Sequence, residues 1–382
     1  MELKTLFSPE KIGNVQIKNR IVRSATWEAR ASEDGHVTDE LIEMYDELAK
    51  GGSGLIIPGY TAVHPGGAAT RCMTRLYDDK YIPGQKKLVS AVHDYSDVKI
   101  ACQIAHTGAQ AFDPQVEAVG PSVYVDMITK RTSRELTNDE IKEITKSFVE
   151  AGERAYTCGY DMIQLHVAHG YLLSDFVSSF SNKRDDEYGG STEKRIKLIL
   201  DIYTELRDKL GKDYPLIAKL NTKDFLPVGL TLDDAVELAK ILVDVGIDAI
   251  EPSSGRFDPK FTGGKFYASY VIKSEEDENF FLPNAKAINP IKKDSKMILM
   301  GGIRRAESAE KFLQEGVADF ISMCRPLIRE PDLPNRWESG DLSPAHCISC
   351  NGCLTSGFRF PVHCVVKKKL EKKKLREQKK KQ

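Results

Sequence analysis

The sequence predicts a parallel β/α fold of the size of a (β/α)₈ barrel. Three observations carry this. Eight apolar, strand-like runs alternate with helical periodicities along the chain. No Gly-x-Gly-x-x-Gly fingerprint is seen, which argues against a Rossmann dinucleotide domain. The 382 residues leave room for a barrel, typically about 250 residues, with an appendage.

The strand-like runs are taken in order. Residues 21–26 form the first, ending in Ser24, Ala25 and Thr26, small residues whose backbone donors could face a flat ring. A helix over 38–50, with Thr38 as N-cap, precedes the second run, 54–58, whose outgoing loop starts at Gly59. A helix over 86–94 precedes the third, 98–104, which holds Gln103 in an otherwise apolar stretch. A buried Gln needs a partner, so a ligand contact there is reasonable. Thr137 and Glu140 form a capping box that opens a helix to about Gly159. The fourth run is 161–165, and a helix over 193–209 follows it. The fifth run, 214–220, contains Lys219, a charge that must either point outward, pair with a carboxylate or meet a ligand. A helix over 230–245 leads to the sixth run, 248–252. The aromatic-rich stretch 257–282, with Phe261, Phe266, Tyr267, Tyr270, Phe280 and Phe281, is a candidate substrate-facing loop. The seventh run, 296–300, closes with Gly301 and Gly302, and the eighth, 319–323, with Cys324 and Arg325. Phosphate sites in such barrels frequently sit in these last two loops. Glycine backbone amides and an Arg fork suit a phosphate.

Chemistry concentrates after the fourth run. His166, His169 and Tyr171 fall within six residues at its C-terminal mouth. Two imidazoles and a phenol there can hydrogen-bond a carbonyl oxygen and supply a proton. On composition alone a His pair near a strand end is more often structural than catalytic, and Tyr171 could equally be a packed aromatic. No Glu lies between the two His, so the helical metalloprotease pattern is absent.

Composition sets outer bounds. A hydrophobic share of 41% suffices for a sizeable core. No apolar run reaches the roughly 20 residues that span a bilayer, so no integral membrane segment is expected. The opening MELKTLFSPEKIG lacks an apolar signal core, so a cytoplasmic location is expected. Residues 367–382 carry a local charge of +8, leaving the rest near −9 against a total of −1. This tail reads as a solvated helix end or as a contact for an anionic partner. Nothing else suggests nucleic-acid binding. Of eight cysteines, Cys347, Cys350, Cys353 and Cys364 crowd within eighteen residues. In a cytosolic chain such crowding argues for a metal rather than disulfides: an iron–sulfur cluster, Zn²⁺, or no metal at all.

The segment HVAHGYLLSDFVSSFSNKRDDEYGGSTEKR, including Asn182, Arg184, Asp186, Glu187, Tyr188, Gly189, Gly190 and Arg195, resembles the signature of the Old Yellow Enzyme, or NADH:flavin oxidoreductase, family without a gap. The resemblance covers roughly residues 3 to 366. It implies a TIM barrel that binds FMN, with an N-terminal hairpin lid over the barrel bottom and a C-terminal cysteine-rich extension. Boundaries follow at 1–340 for the barrel, 341–366 for the extension and 367–382 for the basic tail. It implies flavin contacts at Ser24, Ala25, Thr26, Gly59, Gln103, Lys219, Gly301, Gly302, Cys324 and Arg325. It places Lys219 beside flavin N1 and O2. Trp27 stands where relatives commonly have Thr or Cys, and His106-Thr107-Gly108-Ala109 departs from the usual His-x-Gly-Arg. NAD(P)H is the implied reductant and an activated alkene the implied substrate, with His166 and His169 polarising its oxygen and Tyr171 donating the proton. Long members of this family, similar to 2,4-dienoyl-CoA reductase, carry a four-Cys [4Fe–4S] site that relays electrons from a further flavin and NADPH domain. Here the second and third cysteines are one residue closer, and the chain stops before such a domain. A ferredoxin or partner flavoprotein feeding a cluster is therefore an alternative electron source, and a non-catalytic flavin-binding partner protein a further reading. Family barrels are often oligomeric, so a homo-oligomer is expected.

Overall fold

The computed structural model describes residues 2–70, 72–265, 267–359 and 361–381. Eight parallel strands close on themselves: Ile21–Arg23, Leu55–Ile56, Lys99–Ala105, Met162–Val167, Leu216–Asn221, Ala249–Ser253, Lys296–Leu299 and Phe320–Met323. Each pairs with the next in chain order, and the eighth returns to pair with the first. This is a TIM barrel. All strand residues except Lys99 and Lys296 are buried, as expected where helices cover the outer face and side chains fill the inner one.

The barrel bottom is closed by an antiparallel hairpin, Glu10–Ile12 paired with Val15–Ile17. Ile12 and Ile17 are fully buried against an inner layer that includes Val22, Leu55, Ile217 and Phe320, drawn from four different strands. Barrels of this kind carry their active sites at the opposite, C-terminal mouth.

Local chemistry places the outer helices. Thr38 caps Asp39–Lys50 through its hydroxyl and the Leu41 amide. The Thr137/Glu140 capping box opens Asn138–Cys158, and a second box, Thr231 with Asp234, opens Leu232–Asp244. Two predicted helices differ. The helix expected over 86–94 spans Ile82–His93, because Pro83 stands in its first turn, where a missing N–H costs nothing. The helix expected over 193–209 is two pieces, Thr192–Arg195 and Lys197–Leu210, which meet at Ile196.

Residues beyond the eighth strand pack back over the mouth. The Ala345 amide donates to the Arg304 carbonyl, the Val362 amide to that of Glu28, and Phe358 meets Trp27 edge-on at 6.0 Å. The basic tail forms a helix, Val365–Lys381, whose described side chains are exposed beyond its first two residues. Among the described residues no helix is long and apolar enough to cross a membrane.

Ile12→Ala tests the closure of the bottom. Removing three buried carbons from this layer should cost about 2–5 kcal/mol of unfolding free energy, read by chemical denaturation. A cost below about 0.5 kcal/mol would show that the hairpin does not seal the barrel.

Candidate active site

A cavity of about 400 Å³ opens at the C-terminal mouth. Its floor is the inward face of the strands. Strand register sets Gln103 opposite Gln164, and Lys219 between His166 and Glu251. The Gln103 amide donates to Gln164 Oε1 at 2.6 Å, and Gln164 Nε2 donates to Glu251 Oε2 at 2.9 Å. Lys219 Nζ lies 3.3 Å from the same Glu251 oxygen and 2.9 Å from Ser24 Oγ. Ser24 and Ser322 hydroxyls each donate to Glu251 Oε1 at 2.8 Å. Of the readings open for Lys219, two hold together: it pairs with a carboxylate and it borders the cavity.

The wall after the fourth strand carries His166, His169 and Tyr171, all three on the cavity. The chain turns sharply here. His169 takes a left-handed φ of +67° and Gly170 one of +77°. A Cβ at Gly170 would fall 2.5 Å from Gln110 Nε2, which donates to the carbonyls of His169 and Gly170. Gln110 thus holds a conformation that a non-glycine residue adopts at a cost. His169 Nε2 lies 2.7 Å from Ser253 Oγ. The His166 and His169 rings are nearly perpendicular at 5.1 Å, and Tyr171 is 4.8 Å from His166. Among the described residues His166 Nδ1 is buried with no hydrogen-bond partner, an unusual state unless a ligand supplies one.

Burial decides protonation. Desolvation, then the neighbouring charges, hold His166 well below the ordinary histidine range and His169 at about 3. Both rings are neutral near pH 7. Burial, and then Tyr60, hold the Tyr171 phenol well above its ordinary value, so it keeps its proton. The arrangement offers a hydrogen-bonding imidazole pair beside a protonated phenol.

The rest of the signature fastens this wall and stays off the cavity. Asn182 donates to the Phe176 and Tyr188 carbonyls, and Arg184 reaches Asp186, Asn138 and the Leu136 carbonyl. Behind them Asp175 is fully buried and takes hydrogen bonds from Arg256 and Tyr124.

The remaining predicted ligand contacts divide. Ser24, Ala25, Thr26, Gln103, Lys219, Gly301, Gly302, Cys324 and Arg325 line the cavity. Gly59 is not brought to it. The Gly59 amide faces the buried Glu28 carboxyl at 2.5 Å and the Tyr45 hydroxyl at 3.1 Å, and Tyr60 takes its place on the wall. Gly301 and Gly302 have φ of +110° and +84°, and a Cβ on either would meet Phe281 or Ile272 at 2.8 Å. Arg325 spends its Nη1 on the Tyr270 carbonyl and on Asn351 Oδ1, so it ties two loops together as it borders the cavity. Of the aromatics expected to face substrate in 257–282, Phe280 alone among those described does so. Tyr267 stacks on Phe225 at 3.7 Å, Phe281 is buried, and Phe266 lies outside the described residues. Trp27 borders the cavity, and its indole N–H donates to the Cys72 carbonyl.

Cys347, Cys350, Cys353 and Cys364 share one small cavity, and Cys353 also borders the large one. As placed they do not form a metal cage: among the described residues no three His, Cys, Asp or Glu side chains are set to hold an ion. All eight cysteines are free. The residues that sequence reasoning missed are Glu251, Gln164 and Gln110. Glu251 had a signal, a lone carboxylate in an apolar run one strand from Lys219.

Comparison with known proteins agrees in fold and extent. The profile of the NADH:flavin oxidoreductase / NADH oxidase family matches residues 5–342. The chain is 37% identical over 364 residues to the NADH oxidase of Thermoanaerobacter brockii, covering 91% of this chain and 53% of that protein. It is 31% identical to the 4,4'-dithiodibutanoate disulfide reductase of Rhodococcus erythropolis, covering 95% of each. Among solved structures, a complex of 2-naphthoyl-CoA reductase with 2-naphthoyl-CoA superposes with a TM-score of 0.87 at 28% identity, over 95% of this chain and 57% of that one. An old yellow enzyme homologue from Zymomonas mobilis gives 0.76 at 27% identity, over 89% and 94%. The chain spans about half the length of the first curated relatives it matches, 53% in each case.

Neutral histidines on the cavity wall leave a signature in stability. The unfolded chain takes up these protons near pH 6.5, while folded His169 does so only near pH 3. Their contribution is therefore complete above the unfolded value and is lost as pH falls toward the folded one. His169→Gln should flatten the decline in unfolding free energy between pH 6.5 and about pH 4. A decline as steep as in the wild type would contradict the neutral assignment.

Proposed function

Because the chain belongs to the NADH:flavin oxidoreductase / NADH oxidase family, we propose that it is an FMN-dependent ene-reductase. It reduces the activated C=C bond of an α,β-unsaturated carbonyl-type substrate, with NAD(P)H as the reductant. The observation that carries this reading is the convergence of neutral His166, neutral His169 and protonated Tyr171 on one cavity whose floor bears Gln103 and Lys219.

The residues fit the cofactor. The floor offers an amide, an ammonium and two hydroxyls from Gln103, Lys219, Ser24 and Ser322. Those groups suit the polar edge of a flavin. The Gly301–Gly302 turn and Arg325 border the same cavity and suit a phosphate. FMN supplies the hydride chemistry when bound. The protein's part is to place the substrate and move its proton. His166 and His169 donate hydrogen bonds to the substrate oxygen and draw electron density toward it. Tyr171 gives its phenolic proton to the α-carbon. Trp27, Phe112, Ile128, Leu354 and Phe358 form an apolar wall for the body of the substrate.

The family is one of oxidoreductases, which sets aside a non-catalytic role. A partner protein as electron source is the second reading. Its motive is the spacing of the cysteine quartet, one member of which, Cys353, borders the large cavity; as placed the thiols form no cage, so the geometry does not favour it over the first. The two readings part on whether NADH or NADPH alone bleaches the flavin without oxygen. Eight free cysteines suit a reducing compartment, in keeping with the cytoplasm.

Tyr171→Phe should leave flavin reduction near the wild-type rate and slow the oxidative half-reaction with a simple enone by roughly 10²–10⁴-fold, read by anaerobic stopped flow. An unchanged oxidative rate would remove Tyr171 as the proton donor.

A further inference from the structure

One carboxylate touches the cavity floor without touching the cavity. Glu251 is 0% exposed and absent from the lining. Yet it orders four side chains that do line it. Ser24 and Ser322 donate to Oε1, Lys219 approaches Oε2, and Gln103 is reached through Gln164. Both carboxylate oxygens thus have two partners, which a buried anion requires. Lys219, itself 2% exposed, has two partners, Glu251 and Ser24.

We propose that Glu251 is a positioning residue that sets the charge of the cavity floor and thereby the reduction potential of the bound cofactor. The inference rests on the reading of the cavity as an FMN site. The pair Lys219–Glu251 presents no net charge to that site. Without the carboxylate, Lys219 faces the cavity uncompensated. The reduced cofactor in its anionic form carries more negative charge than the oxidised one, so an uncompensated ammonium holds it more tightly. A unit charge about 10 Å away, at an effective permittivity of about 20, changes such an equilibrium about tenfold. For a two-electron couple, tenfold is about 30 mV.

The test is the midpoint potential of protein-bound FMN, measured by dye-coupled anaerobic titration. Glu251→Gln should raise it by about 30 mV, and Glu251→Asp, which keeps the charge, should move it far less while weakening FMN binding. An unchanged potential in Glu251→Gln, or an equal shift in the charge-keeping Glu251→Asp, overturns the proposal. Should Glu251→Gln fail to fold, Ser322→Ala serves. It strips one donor from the carboxylate, increases its effective negative charge and should lower the potential; no change overturns the proposal. If the wild type binds no FMN, the reading of the cavity fails first and this inference with it.

Discussion

A lysine and a glutamate buried side by side at the centre of a barrel constrain everything above them. Burying either charge without the other is costly. Strand register puts Lys219 and Glu251 directly opposite one another, and Ser24, Ser322 and Gln164 complete the hydrogen bonding. These partners come from the fourth, sixth and eighth strands and from Ser24, directly after the first, around the fifth that carries Lys219. A one-residue slip of any of them would turn a polar inward side chain to the helical shell. The polar floor and the closed sheet are therefore one requirement met twice.

The wall above the floor shows a second constraint. His166 sits within a strand and is rigid by sheet pairing, but His169 lies just beyond it, in a left-handed turn. That turn persists because Gln110 clamps its carbonyls and because Asn182, Arg184 and Asp175 anchor the chain that follows. Three side chains of the thirty-residue signature, His166, His169 and Tyr171, meet the cavity, and Asp175, Asn182 and Arg184 hold the chain that carries them.

How much could be read from sequence follows from the range of the forces involved. Strands and capped helices were legible, because alternation, apolar runs and the Thr137–Glu140 box are local signals. Lys219 was legible as an anomaly, a charge in an apolar run. Its partner was not, because pairing across strands depends on a register that only closure of the barrel sets. Gln110 was hidden for the same reason: its role is a contact with residues 59 and 60 positions away. That Gly59 lies off the cavity was not legible, because nothing local foretells that its amide turns to Glu28. The aromatics of 257–282 read as substrate-facing, yet Tyr267 and Phe281 satisfy themselves against other rings. Spacing brought the four C-terminal cysteines together in sequence, and the fold gathers them around one small cavity without closing a cage.

FMN at the mouth of this barrel is the proposal on which the other functional readings rest. The most direct measurement is an FMN titration of the purified protein, followed by flavin absorption and by quenching of indole fluorescence, with Trp27 on the cavity wall. Saturation is expected at one FMN per chain, with binding weakened by Lys219→Met. No saturable binding, or binding indifferent to Lys219, would contradict it.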